Sequence, residues 1–297
     1  MNALSLACHQ TPILSLDGVS YTYPDGTRAL NQISLEIPRG SKIAVLGANG
    51  AGKSTLFLHL NGILKPQQGQ ILLEGRPVKY SRSFLGELRS QVGIVFQDPD
   101  SQLFAMNVFE DISFGPMNMK LPRPEVKDRV ERAMEITRIT SLKNKPTGHL
   151  SYGEKKRVAI AGVLAMEPAV VILDEPTAFL DPRLVDEMVV LFEKLHSAGQ
   201  TLIMSTHDMD LAYRWADYCY VLNHGTVVAR GRPEDIFTAH SVLKENNLQQ
   251  PWVLKVFSGL LSSGLIGEGL EAPRNEEQLF HYIKKAAIAP VTENRPD

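Results

Sequence analysis

The chain has 297 residues, a net charge of −2, and 43% hydrophobic and 22% charged residues, which is ordinary for a globular protein. This length suits one large domain with a small appendage. The near-neutral charge gives no reason to expect nucleic acid as a partner. No apolar run approaches the roughly 20 residues that cross a bilayer, and the first ten residues do not resemble a secretory leader, so we expect neither a membrane span nor export.

The cysteines and histidines predict little metal or disulfide chemistry. Cys8 and Cys219 are the only cysteines, and the eight histidines are scattered. Two distant cysteines form no disulfide framework, so a reducing cytosol is expected. No cysteine or histidine pair has metal-ligand spacing, so we expect no structural zinc site.

The first third of the sequence alternates short apolar runs with turn residues, which predicts strands. The predicted strands are 13–16, 33–37, 43–46, 71–73 and 92–96. Residues 70–96 return to strand patterns, at 71–73 and 92–96, and no helix is predicted between them. Between the predicted strands at 43–46 and 71–73, apolar residues at helical spacing over 56–64 predict a helix that Gly62 weakens at its end.

The rest of the chain is predicted to be mainly helical up to residue 167 and then mixed. Apolar residues that lie on one helical face include Val126, Val130, Ala133, Met134 and Thr137. The continuous apolar run 169–173 suits a parallel strand covered on both faces. Further elements are predicted as a helix over 183–197, strands over 201–205, 219–222 and 226–229 with a hairpin turn at 223–225, and two amphipathic helices over 252–266 and 276–287.

A glycine-rich segment, residues 47–55, follows the third predicted strand and matches the phosphate-loop pattern G-x-x-x-x-G-K-S/T. Glycines let the backbone wrap closely, so that N–H groups and the helix N-terminus point at phosphate. Lys53 is expected to neutralise the β- and γ-phosphates of ATP, and Ser54 to place its hydroxyl on Mg²⁺. A plain glycine-rich turn is the alternative, which the strand before and the helix after disfavour. The expected nucleotide-binding residues are Gly47, Asn49, Gly50, Ala51, Gly52, Lys53, Ser54 and Thr55.

Two acids, Asp174 and Glu175, stand at the carboxyl end of the apolar run 169–173. Ligands of parallel sheets bind at this edge. We expect Asp174 to hold Mg²⁺ and Glu175 to polarise the attacking water as general base. An ordinary exposed acidic pair at a strand end is the alternative.

The segment Leu150-Ser151-Tyr152-Gly153-Glu154 precedes a predicted helix. On its own it is a capping box formed by Ser151 and Glu154. Its position, about 100 residues after Lys53 and just before the acidic pair, resembles the LSGGQ signature of ABC ATPases. The resemblance covers roughly residues 12–240.

This resemblance implies an α/β fold of the P-loop NTPase class and ABC ATPase type. The core sheet is expected to be mostly parallel, with an N-terminal antiparallel β subdomain and an inserted α-helical subdomain at about 98–167. The ATPase domain is expected at 12–244, and a helical appendage that could support dimerisation at 245–297.

The resemblance also assigns roles to isolated residues. Gln97 matches the Q-loop glutamine that touches Mg²⁺ and the attacking water, and His207 the switch histidine that contacts the γ-phosphate. Asp181 matches the D-loop. Tyr23, with Tyr21 as the fallback, stands where an aromatic stacks on adenine. Without the resemblance, Gln97 would be an ordinary exposed polar residue, His207 a turn residue and Tyr23 a packing residue.

The signature motif implies a second subunit. Ser151 and the N–H of Gly153 would contact the γ-phosphate held by Lys53 of the facing subunit, in a head-to-tail ATPase dimer. This chain departs from the family pattern at Tyr152 and Glu154 in the signature, and at Phe179 in the D-loop. The departures bear on dimer closure and turnover, not on the fold.

Three stretches, 96–104, 114–116 and 155–162, resemble the ATPases of energy-coupling-factor (ECF) importers, and most closely CbiO-type ATPases of cobalt or nickel importers. This implies a peripheral subunit on the cytoplasmic face of the cell membrane. Its partners would be a transmembrane coupling protein and a separate membrane-embedded substrate-binding subunit. The surface after Gln97 is expected either to contact these partners or to build the helical core.

Other functions are compatible with parts of the sequence. An ECF importer for a vitamin would use a very similar ATPase. An ABC ATPase that acts on DNA or ribosomes usually carries coiled-coil insertions or two ATPase domains, and neither is present. A nucleotide kinase does not account for the signature, Gln97 and His207 together.

Overall fold

The computed structural model describes residues 11–267 and 269–288. The strands are β1 Leu14–Thr22, β2 Arg28–Ile37, β3 Lys42–Leu46, β4 Gln68–Leu73, β5 Arg76–Pro77, β6 Val92–Val95, β7 Val170–Asp174, β8 Thr201–Ser205, β9 Tyr218–Asn223 and β10 Thr226–Gly231. The helices are α1 Lys53–Leu60, α2 Arg82–Gln91, α3 Val108–Asn118, α4 Arg123–Ile136, α5 Tyr152–Leu164, α6 Pro182–Ser197, α7 Met209–Trp215, α8 Pro233–Thr238, α9 His240–Glu245, α10 Trp252–Ser262 and α11 Glu276–Ile288. Short 3₁₀ turns span Pro99–Ser101, Thr140–Leu142 and Thr147–His149.

A six-stranded sheet in the order β10-β9-β3-β8-β7-β6 forms the centre of the fold. Its strands run parallel except for β10, which forms a hairpin with β9. All five residues of β7 are buried, as the apolar run predicts. The carboxyl ends of β3, β7 and β8 therefore meet at one edge of the sheet.

The two faces of this sheet are covered by different layers. Ile43 and Val45 of β3 pack into one hydrophobic core with α1 and the antiparallel sheet β2-β1-β4-β5. Ala44 and Leu46, which point the other way, pack into a second core with the helical part of the chain. This alternation is what the period-two geometry of a strand dictates.

The inserted helical region is a packed unit of α3, α4 and α5. The predicted apolar face of α4 is confirmed: Val126, Val130, Ala133, Met134 and Thr137 are all buried. With the parallel sheet, the antiparallel sheet and this helical subdomain present, the predicted fold class is confirmed.

Some predicted elements are wrong. Residues 82–91 form helix α2, although no helix is predicted there, and Ser81 caps it by accepting a hydrogen bond from Phe84 N. Helix α1 ends at Leu60 and does not reach residue 64, because Gly62 has a φ of +71° and a side chain there would collide with Leu85 and Leu88.

The appendage also differs in detail from its prediction. Helix α10 ends at Ser262 and not at 266, because Gly264 adopts a φ of +69° and its N–H bonds back to Leu261. The helices α7, α8 and α9 were not predicted from the sequence.

The two last helices, α10 and α11, share a small core of Val253, Phe257, Ile266 and Leu279. The appendage is anchored to the main body by Trp252 N, which donates to Asp210 Oδ1 at 2.7 Å. Within residues 11–267 and 269–288, no helix is both long and apolar enough to span a bilayer.

Candidate nucleotide site

The loop between β3 and α1 can form only with glycine at two positions. Gly47 has a φ of +144°, and a Cβ there would lie 2.2 Å from the Leu222 carbonyl oxygen. Gly52 has a φ of +104°, and a Cβ there would lie 2.5 Å from the Ala29 carbonyl oxygen. Helix α1 then begins at an N-cap glycine, Gly52, which has no side chain to accept from the first N–H groups of the helix. The backbone is thus shaped to receive an anion.

Lys53 lies at the base of this loop and is only 7% exposed. Its Nζ donates to the carbonyl oxygens of Gly47 at 2.7 Å and Ala48 at 3.2 Å. Burial lowers the pKa of Lys53, an effect that the carboxylates of Glu175 and Asp174 oppose. The loop therefore holds a cation next to its wrapped backbone.

At the end of β7, Asp174 is nearly buried and is held by the neighbouring strand β8. Ser205 Oγ donates to Asp174 Oδ1 at 2.6 Å and accepts from the N–H of Glu175 at 2.9 Å. One hydroxyl thus fixes both acids. Ser205 was not among the predicted site residues.

Glu175 adopts a φ of +48°, and its carboxylate lies beside the ring of His207. His207 Nε2 lies 2.9 Å from Glu175 Oε1, although the two groups are not aligned as in a hydrogen bond. Burial raises the pKa of Glu175, while the charges of His207 and Lys53 lower it. A carboxylate with a raised pKa next to a histidine and a lysine is an arrangement typical of proton transfer.

Gln97 follows β6 and is exposed. The main-chain carbonyl oxygen of Gln97 accepts from Lys156 Nζ at 2.6 Å and from the Tyr152 hydroxyl at 3.2 Å. Lys156 is completely buried, and burial lowers its pKa to about 8. Its ammonium also donates to the Glu175 carbonyl oxygen at 3.3 Å. These contacts join α5 to Gln97 and to the acidic pair.

The signature segment forms the capping box that its sequence predicts. Ser151 Oγ accepts from Glu154 N at 3.3 Å, and Glu154 Oε2 accepts from Ser151 N at 2.7 Å. Lys145 also pairs with Glu154 at 3.0 Å. Glu154, which departs from the family pattern, is therefore held by contacts to Ser151 and Lys145 within the chain.

Gly153 packs closely on α6, because a Cβ there would lie 2.8 Å from Leu184 Cδ1. Asp181 caps α6 by accepting from Leu184 N at 3.0 Å. Phe179 has a φ of +63°, is 82% exposed, and packs its ring edge-on against Tyr152 with 6.1 Å between centroids. The two aromatic departures from the family pattern therefore contact each other.

Tyr23 lies beside the start of α1, with its hydroxyl 3.1 Å from Thr55 Oγ1. Tyr21 packs edge-on against it and also against His59. The ring of Tyr23 is thus held next to the helix that follows the phosphate loop.

The structure joins the acids, His207 and Gln97 into one network, and Ser205 and Lys156 complete it. In the part of the chain that the structure describes, no hydrogen bond links the signature segment to residues 47–55. Sequence reasoning missed Ser205 and Lys156. The sequence signals that could have found them are a serine closing an otherwise apolar strand and a lysine on the inner face of α5.

Comparison with known proteins agrees with this geometry. The family described as ABC transporter matches residues 30–178. The chain is 51% identical over 240 residues to the energy-coupling factor transporter ATP-binding protein EcfA2 of Clostridium perfringens, covering 80% of this chain and 84% of that protein. It is 46% identical over 272 residues to a putative ABC transporter ATP-binding protein of Methanosarcina mazei, covering 92% of this chain but only 60% of that longer protein.

A solved structure of cbiO1 from Clostridium perfringens, described as part of the ABC transporter complex cbiONQ, is 48% identical. It superposes with a TM-score of 0.71 and covers 84% of this chain and 100% of that one. Fold and site together define an ATP-binding cassette, and the chain belongs to the ABC transporter family. Within that family it is an ATP-hydrolysing, ATP-binding subunit of the energy-coupling-factor type.

Proposed function

We propose that this subunit hydrolyses ATP with Glu175 as general base and drives uptake of cobalt or nickel ions through membrane partner subunits. The observation that carries the catalytic part is the 2.9 Å approach of His207 Nε2 to Glu175 Oε1 beside the buried Lys53. Glu175 would take the proton of the attacking water, and His207 would contact the γ-phosphate.

The residues around the phosphate loop fit ATP and Mg²⁺. Gly47 and Gly52 hold the loop in its wrapped shape, because their positive φ angles and the adjacent backbone carbonyls exclude a side chain. Asp174, Ser54 and Gln97 would hold Mg²⁺, since their side chains supply the oxygen donors that this ion prefers. Bound Mg²⁺ supplies neutralisation of phosphate charge. Tyr23 would stack on adenine, and Asn49, Gly50, Ala51 and Thr55 would complete the loop.

Replacement of Glu175 by Gln tests the general base. The variant keeps the shape and removes the proton acceptor, so ATP should bind normally while turnover falls by about 100-fold or more. Phosphate release and the affinity for a fluorescent ATP analogue are the measurements. Near-normal phosphate release by a folded Glu175→Gln protein would refute the role of this residue.

A second ATPase subunit would complete the site. Ser151 is exposed at the start of α5, and its segment makes no hydrogen bond to the phosphate loop among the described residues. We infer that Ser151 and Gly153 contact the γ-phosphate bound by the facing subunit, with Asp181 nearby. Size-exclusion chromatography of Glu175→Gln with and without ATP tests this: an ATP-dependent dimer is expected, and a monomer in both conditions would contradict it.

A coupling surface for membrane partners is supported by exposed apolar side chains on the helical subdomain. Phe104 is 63% and Phe114 50% exposed, and their rings pack edge-to-face with centroids 4.6 Å apart. Met106 and Met117 are also exposed. Such a patch marks an interaction surface. Leu103, in contrast, packs against the hydrophobic core, which favours the structural role for that residue.

Cysteine crosslinking tests this surface. Phe104→Cys in membranes should crosslink to a transmembrane partner, whereas Val228→Cys, at a position that is also exposed but lies on β10, should not. Equal or absent crosslinking from both positions would contradict the proposal.

The cargo is proposed from the CbiO-type resemblance, supported by the 48% identity to cbiO1. A vitamin importer remains the second candidate, since relatives are named for the energy-coupling factor alone. Mass spectrometry of the proteins that copurify with this subunit from gently solubilised membranes separates the two. A metal-binding membrane partner supports cobalt or nickel, a vitamin-binding partner changes the cargo, and no membrane partner would refute peripheral attachment to the cytoplasmic face of the membrane.

A further inference from the structure

Lys156 lies on the inner side of helix α5 and has no exposed surface. Its ammonium donates to two neutral acceptors, the carbonyl oxygens of Gln97 at 2.6 Å and Glu175 at 3.3 Å. Among the described residues its hydrogen bonds go only to carbonyl oxygens, although the carboxylates of Asp174, Glu175 and Asp98 lie near enough to favour its charge. A buried cation without a direct carboxylate partner is less favourable than an apolar side chain of the same length. Packing alone therefore gives no reason for lysine at this position.

The two acceptors belong to separate segments of the nucleotide site. Gln97 follows β6, and its carbonyl also accepts from the Tyr152 hydroxyl at 3.2 Å. Two donors from the first turns of α5 thus converge on one carbonyl oxygen, which has two lone pairs to accept them. The backbone that carries the Gln97 side chain is thus tied to the helical subdomain at this carbonyl oxygen.

Glu175 is held in the same way from both sides. Its N–H donates to Ser205 Oγ at 2.9 Å, and its carbonyl accepts from Lys156. Its φ of +48° is a conformation that a residue with a side chain keeps only when its surroundings impose it. Lys156 supplies one of three main-chain hydrogen bonds at this residue; the others come from Ser205 and from Ala178 N, which donates to the same carbonyl oxygen at 3.2 Å.

We propose that Lys156 is a positioning residue that aligns Gln97 and Glu175 with each other and links both to helix α5. The inference rests on the roles proposed above for these two residues. Lys156 acts through their main-chain carbonyls and has no contact with the phosphate loop among its hydrogen bonds in the described chain. Its removal should therefore slow hydrolysis without weakening nucleotide binding.

The test compares full-length Lys156→Met with wild type. Methionine keeps the length and apolar stem but removes every donor. We expect kcat to fall by about 10- to 100-fold, the loss of a hydrogen bond from a charged donor. The KM for ATP and the Kd of a fluorescent ATP analogue should stay within about threefold, and Tm should stay unchanged or rise, because an apolar side chain replaces a buried charge.

Two matched variants sharpen the comparison. Lys156→Gln keeps an N–H donor on a slightly shorter side chain and should recover part of kcat. Lys155→Met removes the adjacent lysine, whose partner Asp100 is exposed, and should leave kcat within about twofold. A kcat of Lys156→Met within twofold of wild type overturns the inference, and so does a parallel loss of affinity, Tm and kcat, which marks a purely structural role.

If Lys156→Met does not fold, the kcat and nucleotide affinity of Tyr152→Phe and Lys156→Gln test the inference instead. Each weakens the hold on the Gln97 carbonyl, so kcat should fall several-fold with affinity unchanged, and normal kcat in both would overturn the inference. The Glu175→Gln protein is assayed alongside. If Glu175→Gln hydrolyses ATP normally, the proposed function fails; if it is inactive while Lys156→Met is fully active, only the inference about Lys156 fails.

Discussion

Replacing Ser205 by Ala removes one buried hydroxyl that organises both acids of the site. Ser205 has no exposed surface, donates to Asp174 Oδ1 at 2.6 Å and accepts from Glu175 N at 2.9 Å. The first is a hydrogen bond to a charged group, which contributes about 1.5–3 kcal/mol. The second satisfies a buried N–H group whose loss of partner costs about 1–3 kcal/mol.

Because one deletion removes both contacts and the two effects are not additive, we expect a loss of about 2–4 kcal/mol. For a chain of this size each kcal/mol lowers Tm by about 2 °C, so Tm should fall by about 4–8 °C. Thermal unfolding followed by circular dichroism measures it. The release of Asp174 should also weaken Mg²⁺-dependent nucleotide binding, while binding in EDTA changes little.

Ser34→Ala is the matched control. The Ser34 hydroxyl accepts from one exposed N–H group, that of Gly18, at 2.9 Å, so its loss should lower Tm by no more than about 2 °C. The reasoning about Ser205 is refuted if both variants unfold at the same temperature, or if the affinity of Ser205→Ala for nucleotide is the same as wild type with and without Mg²⁺.

Three further outcomes follow from the site and the core. Lys53→Ala should weaken ATP binding by about 10-fold or more in a fluorescence titration, since it removes the cation of the loop, and unchanged affinity would contradict its role. Tyr23→Phe should bind ATP within about threefold of wild type, whereas Tyr23→Ala should lose about 10-fold, because stacking needs only the ring; equal affinity of both would exclude stacking. In a Cys8→Ser protein, Cys219 should react with DTNB only on unfolding, because burial covers its thiol and raises its pKa to about 12. Cys8 itself lies outside the described residues, and rapid labelling of native Cys8→Ser would show that Cys219 is accessible.

The features that the sequence predicts well have fixed local spacing. The phosphate loop is contiguous, and the run at β7 is apolar at every position before its acids. The capping box of Ser151 and Glu154 needs only residues three apart. Each of these patterns is complete within about ten residues, so no knowledge of tertiary structure is needed to recognise it.

The features that the sequence did not predict depend on distant partners. Helix α2 buries only Leu88 and is polar overall, so few apolar residues in the sequence mark it as a helix. Lys156 contacts Gln97 across 59 positions and Ser205 contacts Asp174 across 31. In the sequence alone, Lys156 and Ser205 resemble surface residues, because their hydrogen-bond acceptors are distant in the chain and come close only in the folded structure.

The central position of β3 in the parallel sheet has a consequence for synthesis of the protein on the ribosome. Within the described residues, β3 pairs with β8 and β9, so the strand partners of Ile43, which are Ile203 and Tyr218, are synthesised much later than Ile43 itself. At about 5–20 residues per second, this interval takes roughly 10–30 s. During this time the nascent chain carries an apolar segment without its partners, which is the kind of surface that chaperones bind. A polypeptide terminated before β9 would carry the complete phosphate-loop sequence but lack the strand whose Leu222 carbonyl packs against Gly47.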